Sequence, residues 1–224
     1  MHSIASPDRR GSLVRLTGLI ILLFVLNSAI GLFSLRLASQ RHAADLATLN
    51  LLMETLDNTR QAQVHFKNQV QEWKNVLLRG TDPEDLKRYA AAMRREAFRM
   101  RERLDSALDG MTKLDLTEAG LVGPLQAEHH IILEAYEERI AHFGEHLARQ
   151  AADVDRELRG IDRELNVNLD GLVSELLIRA AALRLELSRE FMARDATTTR
   201  VMVIGAGATT ILLLVMLGLA VRRG

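Results

Sequence analysis

Gln63, Lys67, Gln71 and Lys74 follow one another at three- and four-residue steps, the spacing that lines side chains along one face of a helix. Amide and ammonium groups in such a row either wall a ligand or stand in water beside a buried stripe. Trp73, the only tryptophan of the chain, sits next to the row, and an indole there buries its ring while its N–H finds an acceptor. Arg79 closes the stretch. With Arg156, Arg159 and Arg163 it forms a set of guanidinium groups expected near one tip of the helical region. Such groups grip a carboxylate bidentately or pair with the surrounding Asp153, Asp155, Glu157, Asp162 and Glu164.

Four of the seven histidines, His129, His130, His142 and His146, fall in one predicted helix. Glu138, His142 and His146 recur at four-residue steps, so one face offers three metal ligands. The same residues serve equally as surface groups flanking a buried Ile140/Phe143/Leu147 stripe. No Glu-x-x-His pair of the di-iron bundle type occurs, and no pattern supports haem at His65 or His129. The absence of cysteine excludes disulfides, thiolate catalysis, zinc–thiolate sites and covalently attached c-type haem. There is no glycine-rich phosphate loop, no nucleophile elbow and no convergent Ser/His/Asp set. No metal, no cofactor and no enzymatic activity are expected.

The elements that must position these residues are helices. The composition is 48% hydrophobic but 4% aromatic, with 26% charged residues and three prolines, a mix that loses little entropy in helices. From Arg36 to Arg79 neither proline nor glycine interrupts the chain. An apolar stripe of Leu49, Met53, Leu56, Phe66, Val70, Trp73 and Leu77 runs along that stretch. Gly80 is expected as a left-handed cap, and Thr81-Asp82-Pro83-Glu84-Asp85 restarts a helix, with Asp82 as N-cap and Pro83 in the first turn. This second helix is expected to close at Asp109-Gly110. A third begins at Thr117-Glu118 or only at Pro124, with Leu125, Ile132, Tyr136, Ile140, Phe143 and Leu147 as its stripe. Gly160 is the best breaker before a fourth helix marked by Ile161, Leu165, Leu169, Leu172, Leu176, Ala180, Leu183 and Leu187.

Two stretches are apolar enough for a bilayer. Leu16–Leu35 and Val201–Val221 carry no formal charge and each suffices for a core about 30 Å thick. The first is longer than the apolar core of a signal peptide, and no small-residue cleavage site follows it. Arg9, Arg10 and Arg15 precede the first and Arg222 and Arg223 follow the second, so both termini are expected in the cytoplasm. Gly205-Ala206-Gly207-Ala208 suits close helix packing or is ordinary glycine content. Of 29 basic and 29 acidic residues, five arginines and Asp8 lie in the tails, which leaves the remainder net acidic and argues against nucleic acid as a partner. The expected fold is all-α, an up-down-up-down four-helix bundle continuous with two transmembrane helices. Its divisions are a cytoplasmic tail 1–15, a span 16–35, a bundle 36–200 outside the cytoplasm, a span 201–221 and a tail 222–224.

Two segments, Gln63–Gly80 (QVHFKNQVQEWKNVLLRG, followed by TDPED) and Asp153–Leu165 (DVDRELRGIDREL), together with the two apolar stretches, resemble the sensory region of bacterial methyl-accepting chemotaxis proteins. The resemblance stops short of the HAMP linker and the cytoplasmic signalling coiled coil of that family, since the chain ends at Gly224. It implies a periplasmic sensory domain over residues 36–200 in the inner membrane, working as a homodimer. It also implies a small-molecule ligand and signalling through a full-length chemoreceptor or another partner. It makes Gln63, Lys67, Gln71, Trp73, Lys74 and Arg79 the expected ligand-binding residues. A structural or adaptor protein docking another receptor, and a histidine-based metal sensor, are the alternatives.

Overall fold

The computed structural model describes residues 9–141, 153–158 and 160–222. Four long helices account for most of them: α1 (Arg9–Arg79), α2 (Pro83–Lys113), α3 (Ala119–Ala141) and α4 (Arg163–Arg222). No strand occurs among the described residues. The chain divides into two compact units, one of residues 1–46 and 185–224, the other of residues 47–184.

In the first unit the apolar side chains of α1 point outward around the helix, Leu22, Phe24, Leu32 and Phe33 among them, as do Ile204 and Leu214 of α4. A helix apolar on every side and uncovered by protein suits a lipid surround. Among the described residues, only α1 carries a stretch long and apolar enough to cross a membrane. The apolar run of α4 extends over Met202–Leu212. Asn27 Nδ2 donates to Thr209 Oγ1 at 2.5 Å, and Thr209 Oγ1 donates to the Gly205 carbonyl. Gly205 faces Asn27 Oδ1, whereas among the described residues nothing comes within 4 Å of a Cβ at Gly207.

The second unit holds the core. Phe66, Trp73 and Leu77 of α1, Met93, Met100 and Leu104 of α2, Ile132 and Tyr136 of α3, and Leu165, Leu169 and Leu176 of α4 join one buried cluster. The α1 stripe enters it by Leu52 and Leu56, while Met53 stays 48% exposed. Thr55 and Thr59 complete the buried face in place of Leu49 and Met53, their hydroxyls satisfied by the Leu51 and Thr55 carbonyls. Phe143 and Leu147 of the expected third stripe lie outside the described residues.

Helix boundaries follow capping chemistry at one end and packing at the other. Asp82 caps α2, its Oδ1 accepting the Glu84 and Asp85 backbone N–H groups at 2.9 and 3.0 Å, with Pro83 at the first position. Gly80 does not take the expected left-handed conformation; its N–H bonds the Val76 carbonyl at 2.9 Å. Gly110 does not close α2 either. The helix continues to Lys113 and the left-handed residue is Asp115, at φ 53°. Gly110 instead lets α2 come close to α1, since a Cβ there would stand 2.1 Å from Thr55 Oγ1. Helix α3 starts before Pro124, at Ala119, its entry tightened by three bonds between residues three apart. Gly160, at φ 87°, breaks the chain before α4 as expected.

Gly110→Ala should therefore destabilise the protein although alanine favours helices. Overpacking costs about 1–3 kcal/mol against roughly 1 kcal/mol of propensity gained. Thermal unfolding of Gly110→Ala, Thr55→Ala and the double variant tests this. The double variant should recover most of the loss, and strictly additive effects would refute the close approach.

Candidate ligand-binding cleft

Lys67, Trp73 and Lys74 of α1, with Phe66 and Val70 of the same helix, line a cleft of about 550 Å³. The remaining lining comes from Tyr136 of α3, from Asp155, Leu158, Gly160 and Asp162 in the connection that follows, and from Arg163 and Asn166 at the start of α4. Trp73 and Tyr136 stack at 4.4 Å with 10° between their planes, and both are buried. Burial, with Asp162 adding negative charge nearby, lifts the Tyr136 phenol above its ordinary range, so it carries its proton at any physiological pH.

The expected site residues separate. Lys67, Trp73 and Lys74 meet at the cleft. Gln63 hydrogen-bonds Asp170 of α4, the carboxylate that the Lys67 ammonium approaches at 3.7 Å. Gln71 is exposed and is not part of the cleft's lining. Arg79 is engaged elsewhere. Arg79 and Arg88 each donate to the Tyr89 hydroxyl at 2.7 Å and lie over its ring. Of the other arginines considered with it, Arg156 pairs with Asp153 at 3.1 Å, Arg163 reaches the cleft, and Arg159 lies outside the described residues. Asp155, Asp162, Asn166 and Tyr136 had no functional assignment from the sequence. Their one signal was position, since Asp155 and Asp162 belong to the segment Asp153–Leu165. The two resembling segments thus supply most of one cleft.

His129 is not a surface histidine. It is 1% exposed, its Nε2 lies 2.7 Å from Gln69 Oε1, and its ring meets Phe66 edge-on at 6.1 Å. Gln69 is equally buried and its Nε2 has no partner among the described residues. Burial, helped by the positive charges of Arg101 and His130, lowers the His129 pKa to about 4. Two carboxylates move the other way from their surroundings. Burial alone would raise Glu118 and Glu96, yet both are held below the carboxylate range. Glu118 is held by its own backbone N–H, Thr117 and Arg179, and Glu96 by His65, Asn68 and Arg99. His142 and His146 lie outside the described residues. Among those described, no three His, Asp or Glu side chains are placed to hold a metal.

The chain is an all-helical protein with a mixed-charge cleft in its helical core, and its sequence similarity is to a chemotaxis receptor. Over 119 residues, 52% of its length, it is 35% identical to the methyl-accepting chemotaxis protein CtpH of Pseudomonas aeruginosa. It spans about a fifth of that receptor's length. No family model and no solved structure matches it.

The buried histidine gives stability a pH dependence. The folded imidazole stays neutral down to about pH 4 whereas the unfolded one gains its proton near pH 6.5. Stability is therefore full above 6.5, falls as the pH drops towards 4 and levels off below, by on the order of 3 kcal/mol. Glu118 and Glu96 add their own loss only lower, once the pH falls through the carboxylate range. Melting temperatures between pH 7 and 5 should decline for the native protein and stay nearly flat for His129→Gln; parallel curves would contradict this assignment.

Proposed function

We propose that this protein is a membrane-anchored sensory module of chemoreceptor type, which binds a small ligand and passes a helix shift across the inner membrane to a signalling partner. The observation that carries this is the convergence of Gln63–Gly80 and Asp153–Leu165 on one cleft. Neither segment needs such a particular set of polar residues merely to pack. The similarity to a methyl-accepting chemotaxis protein supports it further. The module is non-enzymatic, its helices are arranged up-down-up-down over residues 36–200 in the periplasm, and 16–35 and 201–221 cross the bilayer with both termini inside. Lys67, Trp73 and Lys74 face the ligand, with Gln63 steadying Asp170 beside them.

Arg163 and Asn166 line the cleft from the first turn of α4. A ligand there bears directly on the helix that contains the second apolar stretch. A slide of about 1–2 Å along it is the kind of change known from such interfaces. Ligand drives it only through different affinities for the two arrangements.

The module acts as a homodimer. Val167, Gly171, Ser174 and Ile178 stand exposed on α4 at steps of four, three and four residues, Ile178 at 70%. That seven-residue repeat, apolar or small throughout, suits a second helix winding against it. A single thiol at Ile178→Cys, in a chain without cysteine, should give disulfide-linked dimers in membranes. One at Glu134→Cys on α3 should not, and equal yields from both would argue against this face.

Thermal-shift screening of the detergent-solubilised protein against small metabolites tests the sensory role, with stabilisation by at least one compound expected. Silence across a broad library, together with a reproducible protein cross-link in unstimulated cells, would favour an adaptor instead. A periplasm-dependent reporter fused near residue 110 should be active; cytosolic behaviour would overturn the topology.

A further inference from the structure

We propose that α2 and α3 together form a second self-association face, on which two copies of the chain pack α2 of each against α3 of the other. This goes beyond the sensory role given above and does not depend on it. Phe98 of α2 and Ile131 of α3 are each 62% exposed, large apolar side chains that the core leaves in water. Arg95 stands three residues before Phe98 and Glu134 three after Ile131, so each charge shares a helical face with its apolar neighbour. Arg95 is exposed and forms no hydrogen bond or ion pair among the described residues. The Glu134 side chain is 68% exposed and pairs with His130 of its own helix at 3.2 Å, a surface contact of little energy. Taken singly, neither apolar side chain needs an explanation. With their flanking charges they form two halves of one complement.

The level of these residues is fixed within the chain. Arg94 donates to both Glu137 oxygens at 2.7 and 2.5 Å, and Gln126 donates to Asp105 at 2.6 Å. From Arg94 to Asp105 and from Gln126 to Glu137 is the same eleven residues, so α2 and α3 run antiparallel in a single register. In it Arg95 is level with Tyr136, between Glu134 and Glu138. Phe98 is level with Leu133, about 3 Å along the axis from Ile131. Arg95 lies about 100° around the helix from Arg94, which takes the contact with α3 of the same chain. A two-fold axis parallel to the helices keeps all these levels. It sets Arg95 and Phe98 of one copy opposite Glu134, Glu138 and Ile131 of the other, and the reverse, as an isologous contact requires. Four apolar side chains then meet in the middle, with an arginine and its acids on either side. One turn further, Arg101 and Glu102 bring opposite charges and leave the face balanced. The occupant is a second copy because one face carries both halves. Unlike positions meet, so Glu134 faces Arg95 of the second copy and not its own counterpart.

Because the chain has no cysteine, single thiols report on this face. Chains carrying Phe98→Cys and Ile131→Cys under different tags are co-expressed and treated in membranes with a short bismaleimide. The mixed product should far exceed that of Lys87→Cys with Ile131→Cys, and equal yields would overturn the face. Arg95→Glu in both chains should lower the mixed product about tenfold, since like charges then oppose one another. Adding Glu134→Arg and Glu138→Arg to Arg95→Glu should restore it, and no recovery would refute the pairing. The Ile178→Cys dimer should persist in Arg95→Glu; its loss as well would put the effect in the fold and equally refute the pairing. Ile178→Cys dimers without any link between positions 98 and 131 would remove this face and leave the sensory homodimer standing.

Discussion

The rest of the helical core and its cleft depend on the stacking of Trp73 against Tyr136. Each ring withdraws on the order of 150–250 Å² from water when fully buried, and Phe66 of α1 adds an edge-on contact with His129 of α3. The stack ties α1 to α3 and forms part of the surface on which the cleft is built. Lys74 follows Trp73 directly in sequence, so the burial of one fixes where the other emerges. Tyr136 brings its hydroxyl into the field of Asp162, and burial together with that carboxylate keeps the phenol protonated.

Polar groups inside the core set which arrangement of helices is adopted. Gln69 and His129 join α1 to α3. Glu118, just before α3, meets Arg179 of α4 at 3.2 Å, and Arg103 of α2 donates to Asn58 of α1 at 3.0 Å. An interior of leucine and methionine alone tolerates helices sliding past one another, because its contacts have no direction. A hydrogen bond or ion pair satisfied in only one register resists that sliding. Breaking it leaves a buried polar group unmatched. Gln69 Nε2 has no partner among the described residues, while its Oε1 is engaged by His129.

Helix α4 carries both the first turn that lines the cleft and the second apolar stretch. The helix shift proposed above runs along this one element and needs no chain of intermediate contacts. The hydrogen bond from Asn27 to Thr209 is a polar contact between α1 and α4 in their apolar portions. In an apolar surround such a bond has few competitors for its donor and acceptor.

The sequence by itself determined the helical class, the Asp82 cap, the break at Gly160 and the leucine stripe of α4. Each is a local effect of backbone geometry or of 3.6-residue periodicity, and needs no knowledge of neighbours. It misjudged Gly110 because the same residue type ends a helix or admits a close neighbour, and only the neighbour decides. Thr55 was that neighbour for Gly110. The α1 stripe slipped from Met53 to Leu52 and Thr55 for a related reason, since threonine hydroxyls satisfied by the preceding turn can be buried where methionine is left outside. The burial of His129 could not be read ahead, because an isolated imidazole gives no sign of the glutamine that will face it. The cleft was legible as two separate segments, with Lys67, Trp73 and Lys74 named in advance. Their meeting with Asp155, Asp162 and Arg163 was decided by tertiary structure, because residues about ninety positions apart come together only when α1 and α3 pack and the chain turns at Gly160.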